Sequence, residues 1–379
     1  MVNSGACQEL EAKVIHSGIC TLCGACVGHC PYFAAYEGKV LLKDACDLPE
    51  GRCRAHLSCP RISIDLDGLS QAFFGHPYAG SGLGSVRQVV MARTRIPAVQ
   101  AKAQDAGSVT TLVRVALEEG WIDAAVLTRS EDKSWPRGIL AKDGKEVLSC
   151  AGSSYLAAPT IEAFNRAVGD GGCRSMGVVG TPCQLTALAK MQAAPPEVQL
   201  GADRLKLVIG LFCTWALAHP SFTRLLEARV SSPVRRCEIP PHPANVLLAF
   251  TEKERVSIPI DEVLPFVRPA CRVCMDLTAE FSDLSVGGGR GEVSGWNTLV
   301  IRTEKGLELV DSARRKGVIE TAPIPEENLR RLENAADIKR RRGMANILRN
   351  SASPDDLLYL KAGPGIIRQL AAECREGGR

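Results

Sequence analysis

Apolar positions along the chain fall into three regimes. Through about residue 65 there is little hydrophobic periodicity and much Gly, Pro and Asp, the pattern of a segment folded around ligands rather than around a core. Residues 66–96 (DLDGLSQAFFGHPYAGSGLGS, then VRQVVMAR) read as a Gly-rich linker entering a strand. Beyond it the periods of helix and strand alternate. SVTTLVRVALEEGW (108–121) has apolar residues at helical spacing, and IDAAVLT (122–128) follows as a strand. MGVVGTP (176–182) and LKLVIGLFC (205–213) read as buried strands, with CQLTALAKMQA (183–193) a helix between them. NVLLAFTEKERVSIPI (245–260) predicts a hairpin, DLSVGGGRGEVSGWNTLVIRT (283–303) a strand, Gly-rich loop and strand, and residues 325–350 an amphipathic helix. The expected fold class is α/β, preceded by a small ferredoxin-like iron-sulfur domain. Ligands of open α/β sheets sit beyond the carboxyl ends of strands, which is where Cys183 and Cys213 fall.

Composition narrows the class. The 379 residues allow two or three domains at roughly 150 residues each, and 45% apolar with 23% charged residues is ordinary for a globular protein. The longest apolar stretch, Leu207–Ala218, is well short of the roughly 18 residues a membrane span needs. The first twenty residues carry early acidic positions and neither an apolar signal core nor a small-residue cleavage site, so a cytoplasmic protein is expected. Forty-six basic against forty-two acidic residues is too balanced to imply a nucleic-acid partner. The basic run Lys339-Arg340-Arg341-Arg342 reads as a solvated helix face.

The sixteen cysteines carry the chemistry. Cytoplasmic thiols stay reduced, so metal or redox roles are expected. Cys20-x2-Cys23-x2-Cys26-x3-Cys30-Pro31 is the bacterial ferredoxin run for iron-sulfur ligation, in which the fourth Cys serves a second cluster. The downstream set Cys46-x6-Cys53-x5-Cys59-Pro60 supplies three thiolates with irregular spacing. One arrangement groups Cys20, Cys23, Cys26 and Cys59 and leaves Cys30, Cys46 and Cys53 as a three-thiolate set; another uses Cys20, Cys23, Cys26 and Cys46 alone. Thiolates also bind zinc, usually through two separated CxxC or Cys/His pairs rather than an unbroken CxxCxxCxxxCP. Cys183, Cys213, Cys271 and Cys274 can close one further 4Fe-4S site, or each can be a buried small hydrophobe or half of a redox or zinc pair. Cys7 has no assignment, and Cys150, Cys173, Cys237 and Cys374 read as structural or surface thiols. The loop Gly287-Gly288-Gly289-Arg290-Gly291 lacks the Lys-Ser/Thr of a P-loop, and no complete GxGxxG or hydrolytic motif occurs.

The succession QDAGSVTTLVRVALEEGWIDAAV, AGSSYLAAP, VVGTPCQLTAL, GLFC, CRVCMDLTAEFSDLSVGGGRGEVSGWNTLVIRT resembles the coenzyme F420 hydrogenase/dehydrogenase beta subunit family, with its motifs in order from about Val86 to about Asn350. The resemblance implies a flavin-binding α/β domain over 97–350, with residues 1–65 as the ferredoxin-like module and 351–379 as a C-terminal tail. It implies an FAD contacted by Gly107, Ser108, Val109, Thr110, Ser153, Ser154, Tyr155, Thr181, Gln184, Gly287 and Gly288. It implies a 4Fe-4S cluster on Cys183, Cys213, Cys271 and Cys274 beside it. Relatives usually carry a basic residue between the Ser and Tyr of GS-x-Y, where this chain has Ser154. The expected function is a flavin/iron-sulfur oxidoreductase subunit with two or three clusters. It would move electrons between a hydride carrier such as F420 and a partner subunit of the formate dehydrogenase, hydrogenase or heterodisulfide-reductase-like kind. A pure electron-transfer module, a reductase of a tetrapyrrole or other organic substrate, and a zinc-stabilised interaction protein are the alternatives.

Overall fold

The structure is a computed structural model that describes residues 5–44, 46–78, 80–130, 135–240, 244–289, 293–353, 356–361 and 365–376. An N-terminal hairpin pairs β1 (Phe33–Tyr36) with β2 (Lys39–Leu42). The main sheet comprises β3 (Gln88–Thr94), β4 (Ala124–Arg129), β5 (Arg137–Ala141), β6 (Met176–Gly180) and β7 (Leu205–Leu211). A small antiparallel sheet of β8 (Arg236–Glu238), β9 (Val246–Phe250) and β10 (Arg255–Pro259) intervenes before β11 (Leu284–Gly288), β12 (Asn297–Ile301) and β13 (Ile319–Pro323) complete the main one. The order of the eight strands is β13-β3-β12-β11-β7-β6-β4-β5. Strands β4, β6, β7 and β11 run parallel among themselves, while β5, β12 and β13 run against their neighbours. The carboxyl ends of β3, β4, β6, β7 and β11 therefore share one edge with the amino ends of β5, β12 and β13.

Both faces of this sheet are covered, which is why β6 and β12 are buried at every position and β6 carries no polar side chain. Side chains still project alternately. Ala125 and Leu127 of β4 pack with Leu112 and Ala116 of the helix Ser108–Glu118 on one face, and Ala124 and Val126 pack with Ile161, Phe164 and Leu188 on the other. Thr181 opens the helix Pro182–Ala193 with a reciprocal capping box to Gln184, so the chain turns sharply at the end of β6.

Residues 1–65 hold more structure than their weak periodicity predicts. A helix at Ala6–Leu10, the hairpin and a second helix at Arg54–Ser58 share a core of Leu10, Val14, Phe33, Val40, Ile62 and Ile64. The expected linker contains the helix Leu66–Phe74, capped by Asp65, and its Leu66 and Leu69 join that core. The expected tail is an integral part as well. Leu357, Tyr359, Leu360, Ile367 and Leu370 enter the same core, and Ile64 N–H donates to the Tyr359 carbonyl at 2.8 Å. Local sequence missed this because the apolar faces involved are short and are completed by residues from the far end of the chain. A short strand pair, β14 (Asp356–Leu357) with β15 (Leu360–Lys361), closes this junction.

The basic run on the helix Glu326–Arg349 departs from expectation. Arg341 and Arg342 are exposed, but Lys339 and Arg340 are 3% and 2% exposed. Arg340 pairs with Glu280 at 2.7 Å, donates to the Tyr78 hydroxyl at 2.9 Å and also to the Gly80 carbonyl. This pins the long helix to the segment before β11. Arg340→Met leaves Glu280 buried without its counter-charge, and urea unfolding should show a loss of about 3–5 kcal/mol. A loss no larger than that of an exposed Arg342→Met control would refute this.

Candidate cofactor site

Twelve of the cysteines gather into three groups of four. Cys20, Cys23, Cys26 and Cys59 line one cavity of about 30 Å³, walled otherwise by apolar residues such as Leu10, Val14 and Phe33. The loop that carries the first three is held against the α/β body: the Asn165 amide donates to the carbonyls of Ala25 at 3.0 Å and Val27 at 2.6 Å, and Ile161 N–H donates to Cys23 O at 3.0 Å. Gly24 makes this approach possible. Its φ is +84°, and a Cβ there would lie 2.7 Å from the Pro159 carbonyl oxygen.

The second group contains the residue left without assignment. Cys7 Sγ lies 2.8 Å from Cys46 Sγ and 3.9 Å from Cys53 Sγ, and Cys30 feels the charges of both Cys53 and Cys46. The three-thiolate set Cys30, Cys46 and Cys53 thus gains a fourth thiol from the first helix, and Cys46 stands with Cys7 rather than with Cys20, Cys23 and Cys26. The third group joins Cys183, in the first turn after β6, with Cys213, just after β7, and with Cys271 and Cys274. Ala216 N–H donates to Cys271 Sγ at 3.3 Å. Cys183 also acts electrostatically on Cys20 and Cys23, so the first and third groups are neighbours. Cys150, Cys173, Cys237 and Cys374 lie outside these groups.

Burial pushes the thiols of the first group up, Cys59 to about 11, and burial with the neighbouring Cys46 and Cys53 does the same to Cys7. Cys274 is the exception. Burial raises it, but Lys339 and then Arg61 outweigh that, and its net shift is downward. Buried and half-buried cations surround the first and third groups. Arg61 is 6% exposed, donates to Ala270 O at 3.4 Å and lies 4.5 Å over the Tyr359 ring, with the thiols of Cys274 and Cys183 nearby. Lys190 Nζ donates to Cys59 O at 2.9 Å and Ile62 O at 2.7 Å, and Arg268 donates to Cys20 O at 2.9 Å. The Nε atoms of Arg61 and Arg268 are buried with no hydrogen-bond acceptor. Buried cations need counter-charge, and thiols this desolvated ionise only where positive charge meets them, so this donor set fits a polynuclear metal-sulfide group.

The residues expected at a flavin sit along the carboxyl edge of the sheet. Gly107, at φ +71°, is the N-cap of the helix Ser108–Glu118, leaving Val109 and Thr110 half-buried at its N-terminus. Ser108 is committed internally: its N–H donates to Asn297 Oδ1 at 3.2 Å and its hydroxyl to Ala92 O at 3.2 Å. Gln104 joins the next segment, accepting from Ser153 N–H at 3.1 Å and donating to the Tyr155 hydroxyl at 3.5 Å. Tyr155 also accepts from Ile239 N–H, just after β8, at 3.1 Å, and Ser154 is exposed. Asn297 Nδ2 donates to Asp105 at 3.0 Å and to Gly287 O at 3.3 Å, which brings the β11 glycines to the same place. A Cβ on Gly287 would overlap the Phe212 ring, so that glycine is required by packing alone; Gly288 is exposed. Arg290 and Gly291 of the Gly-rich loop lie outside the described residues. Thr181 and Gln184 stand apart, beside Cys183. The Gln184 side chain accepts from Thr181 N–H at 2.8 Å and donates to Ala158 O and Thr160 Oγ1, both at 3.0 Å. A helix N-terminus, a tyrosine and exposed small residues on one edge fit a planar, phosphate-bearing group.

A family model for the carboxyl-terminal part of the coenzyme F420 hydrogenase/dehydrogenase beta subunit matches residues 173–327, and the corresponding amino-terminal model matches residues 89–165. The coenzyme F420 hydrogenase beta subunit of Methanothermobacter thermautotrophicus is 30% identical over 268 residues, 70% of this chain and 95% of that protein. This chain belongs to the coenzyme F420 hydrogenase/dehydrogenase beta subunit family. Another relative, the F subunit of the F(420)H(2) dehydrogenase of Methanosarcina mazei, is 28% identical over 326 residues, 83% of this chain and 88% of its own. A chain of the F420-reducing NiFe hydrogenase complex from Methanosarcina barkeri shares the family fold, with a TM-score of 0.67 and 28% identity over 71% of this chain and 94% of its own. The family-model matches begin at residue 89, so the thiol groups of the N-terminal module lie outside them.

Asp105 gives this edge a pH dependence. Partial desolvation, and then the nearby Glu238, push its carboxyl up to about 6. A raised carboxyl contributes stability that is full below about pH 4 and is lost as pH rises through about 6. Asp105→Asn should therefore gain stability relative to the parent chain between those limits in urea titrations. Two profiles running parallel across that range would refute the assignment.

Proposed function

We propose that this chain is the electron-distributing beta subunit of an oxidoreductase complex. In this reading it holds an FAD at the carboxyl edge of its main sheet and three 4Fe-4S clusters on Cys183/Cys213/Cys271/Cys274, Cys20/Cys23/Cys26/Cys59 and Cys7/Cys30/Cys46/Cys53. The two-electron partner is a deazaflavin hydride carrier, coenzyme F420, as the names of its relatives suggest. The carrying observation is the sorting of twelve thiols into three groups of four, two of them collared by buried and half-buried cations. FAD supplies the exchange between a hydride pair and single electrons, and clusters carry one electron at a time. The protein's own residues bind and orient. The helix N-terminus at Gly107–Thr110 would face the phosphates, Tyr155 and Gln104 would hold the wall toward the small sheet, and Arg61 would offset charge between the first and third groups.

In the first and third groups, spacing argues against single zinc ions. Among the described residues, the one group of three potential ligands within 4.8 Å of one another is Glu9, Glu50 and His56, not a cysteine set. Tetrahedral zinc with Zn–S near 2.3 Å needs thiolates about 3.8 Å apart. The N-terminal module is the expected exit toward the partner subunit, because Cys183 of the third group acts on Cys20 and Cys23 of the first group and is not among the main influences on Cys7 or Cys30 of the second. No helix among the described residues is long and apolar enough to cross a membrane.

Anaerobic purification should give a brown protein with about 12 irons and as many sulfides per chain, and one releasable flavin. With a one-electron dye, reduced F420 should drive turnover and NAD(P)H should not. Cys7→Ala should lower the iron to about 8 per chain while leaving the flavin bound. A colourless or zinc-loaded isolate, iron unchanged in Cys7→Ala, or a preference for NAD(P)H would each overturn the corresponding part of this reading.

A further inference from the structure

Lys339 reaches the third thiol group from an element that lies far from the motif cysteines in sequence. Its ammonium donates to the Cys213 carbonyl, and the charged or titratable groups that face it are Cys274, Cys213, Asp276 and Cys271. Lys339 is 3% exposed, so the ammonium is held among these groups rather than in water. Among the described residues no carboxylate forms an ion pair with it.

The long helix is built to keep it there. One residue on, Arg340 is locked by Glu280, Tyr78 and Gly80. One turn on, Gly343 lets the helix backbone press against the cluster loop, since a Cβ there would lie 2.6 Å from the Cys274 carbonyl oxygen. Asn346 then donates to Arg272 O at 2.8 Å. Three successive contacts hold one face of the helix against residues 271–280, so the lysine cannot swing to solvent.

The other inward-facing cations do different work. Arg61 is shared between groups, with Cys274 and Cys183 among its neighbours and Cys59 and Cys20 acted on by it. Lys190 and Arg268 serve the first group through carbonyls of Cys59 and Cys20. No basic group is among the main influences on Cys7 or Cys30. Lys339 alone of the four acts on the third group and not on the first. Reduction adds one electron to a cluster and breaks no protein bond, so a fixed cation beside it stabilises the reduced form more than the oxidised one.

We propose that Lys339 is a potential-setting residue: its fixed charge makes the cluster on Cys183, Cys213, Cys271 and Cys274 easier to reduce than it would otherwise be. It thereby holds an electron next to the flavin edge. This rests on the reading above that the group carries a one-electron cluster.

The test is EPR-monitored potentiometry, with dithionite as reductant, on the full chain carrying its clusters, comparing Lys339→Gln, Lys339→Met and Lys339→Arg. In the Gln and Met variants one signal of the three should shift downward by at least tenfold in its reduced-to-oxidised ratio at fixed potential, about 59 mV for a one-electron couple. The Arg variant should recover most of the shift, and iron content should stay at the parent level throughout. An unchanged potential in both neutral variants overturns the proposal. A uniform shift of all three signals, or loss of iron in all three variants, assigns Lys339 a structural role and overturns it too. An absence of iron-sulfur signals from the parent chain instead defeats the cluster reading itself.

Discussion

Burying positive charge is costly unless negative charge is buried with it, and that balance organises this molecule. Arg61, Lys190, Arg268 and Lys339 all point inward, and the acidic groups that face them are mostly cysteine thiols rather than carboxylates. Burial in turn pushes the thiols of Cys59, Cys213 and Cys271 up. Each set makes sense only with the other and with the metal-sulfide groups proposed between them. Where the same helix carries a cation with an ordinary partner, Arg340 with Glu280, the pair serves as an anchor.

This balance also explains why distant parts of the chain are fused into one body. The N-terminal module docks on the α/β body where the first and third thiol groups meet, through Asn165 and Ile161 on one side and Arg268 on the other. The C-terminal segment closes over the module's core through Tyr359 and Leu360, and places the Tyr359 ring against Arg61. In the proposed function these are the contacts that keep successive one-electron carriers close together and away from water. The segment just after β8 contributes at the opposite end, where Ile239 meets the Tyr155 hydroxyl beside the expected flavin edge.

Local signals carried much of this. The helix Ser108–Glu118, strands β4, β6 and β7, and the β9–β10 hairpin fall where periodicity and turn residues place them, because each is decided by its own few residues and a covered face. The ferredoxin-type run and the set downstream of it identified seven of the eight N-terminal thiols as ligand candidates. The eighth was legible in principle: two four-thiol groups need eight cysteines, and residues 1–65 contain eight. Cys7 escaped because no motif spacing ties it to Cys46, and only the packing of the first helix does so.

The amino-acid sequence by itself determined the α/β alternation, the thiols available and the family, since these depend on short-range patterning and on residue identity. Tertiary structure alone decided which cysteines share a group, which glycines answer to packing, as Gly287 does to Phe212, and which charges are buried. A run of Lys and Arg looks the same in sequence whether it meets water or a cluster of thiols. Helix rotation makes the difference, and for the helix Glu326–Arg349 that rotation is set by Glu280 and by Tyr78, which stands 262 residues from Arg340 in the chain.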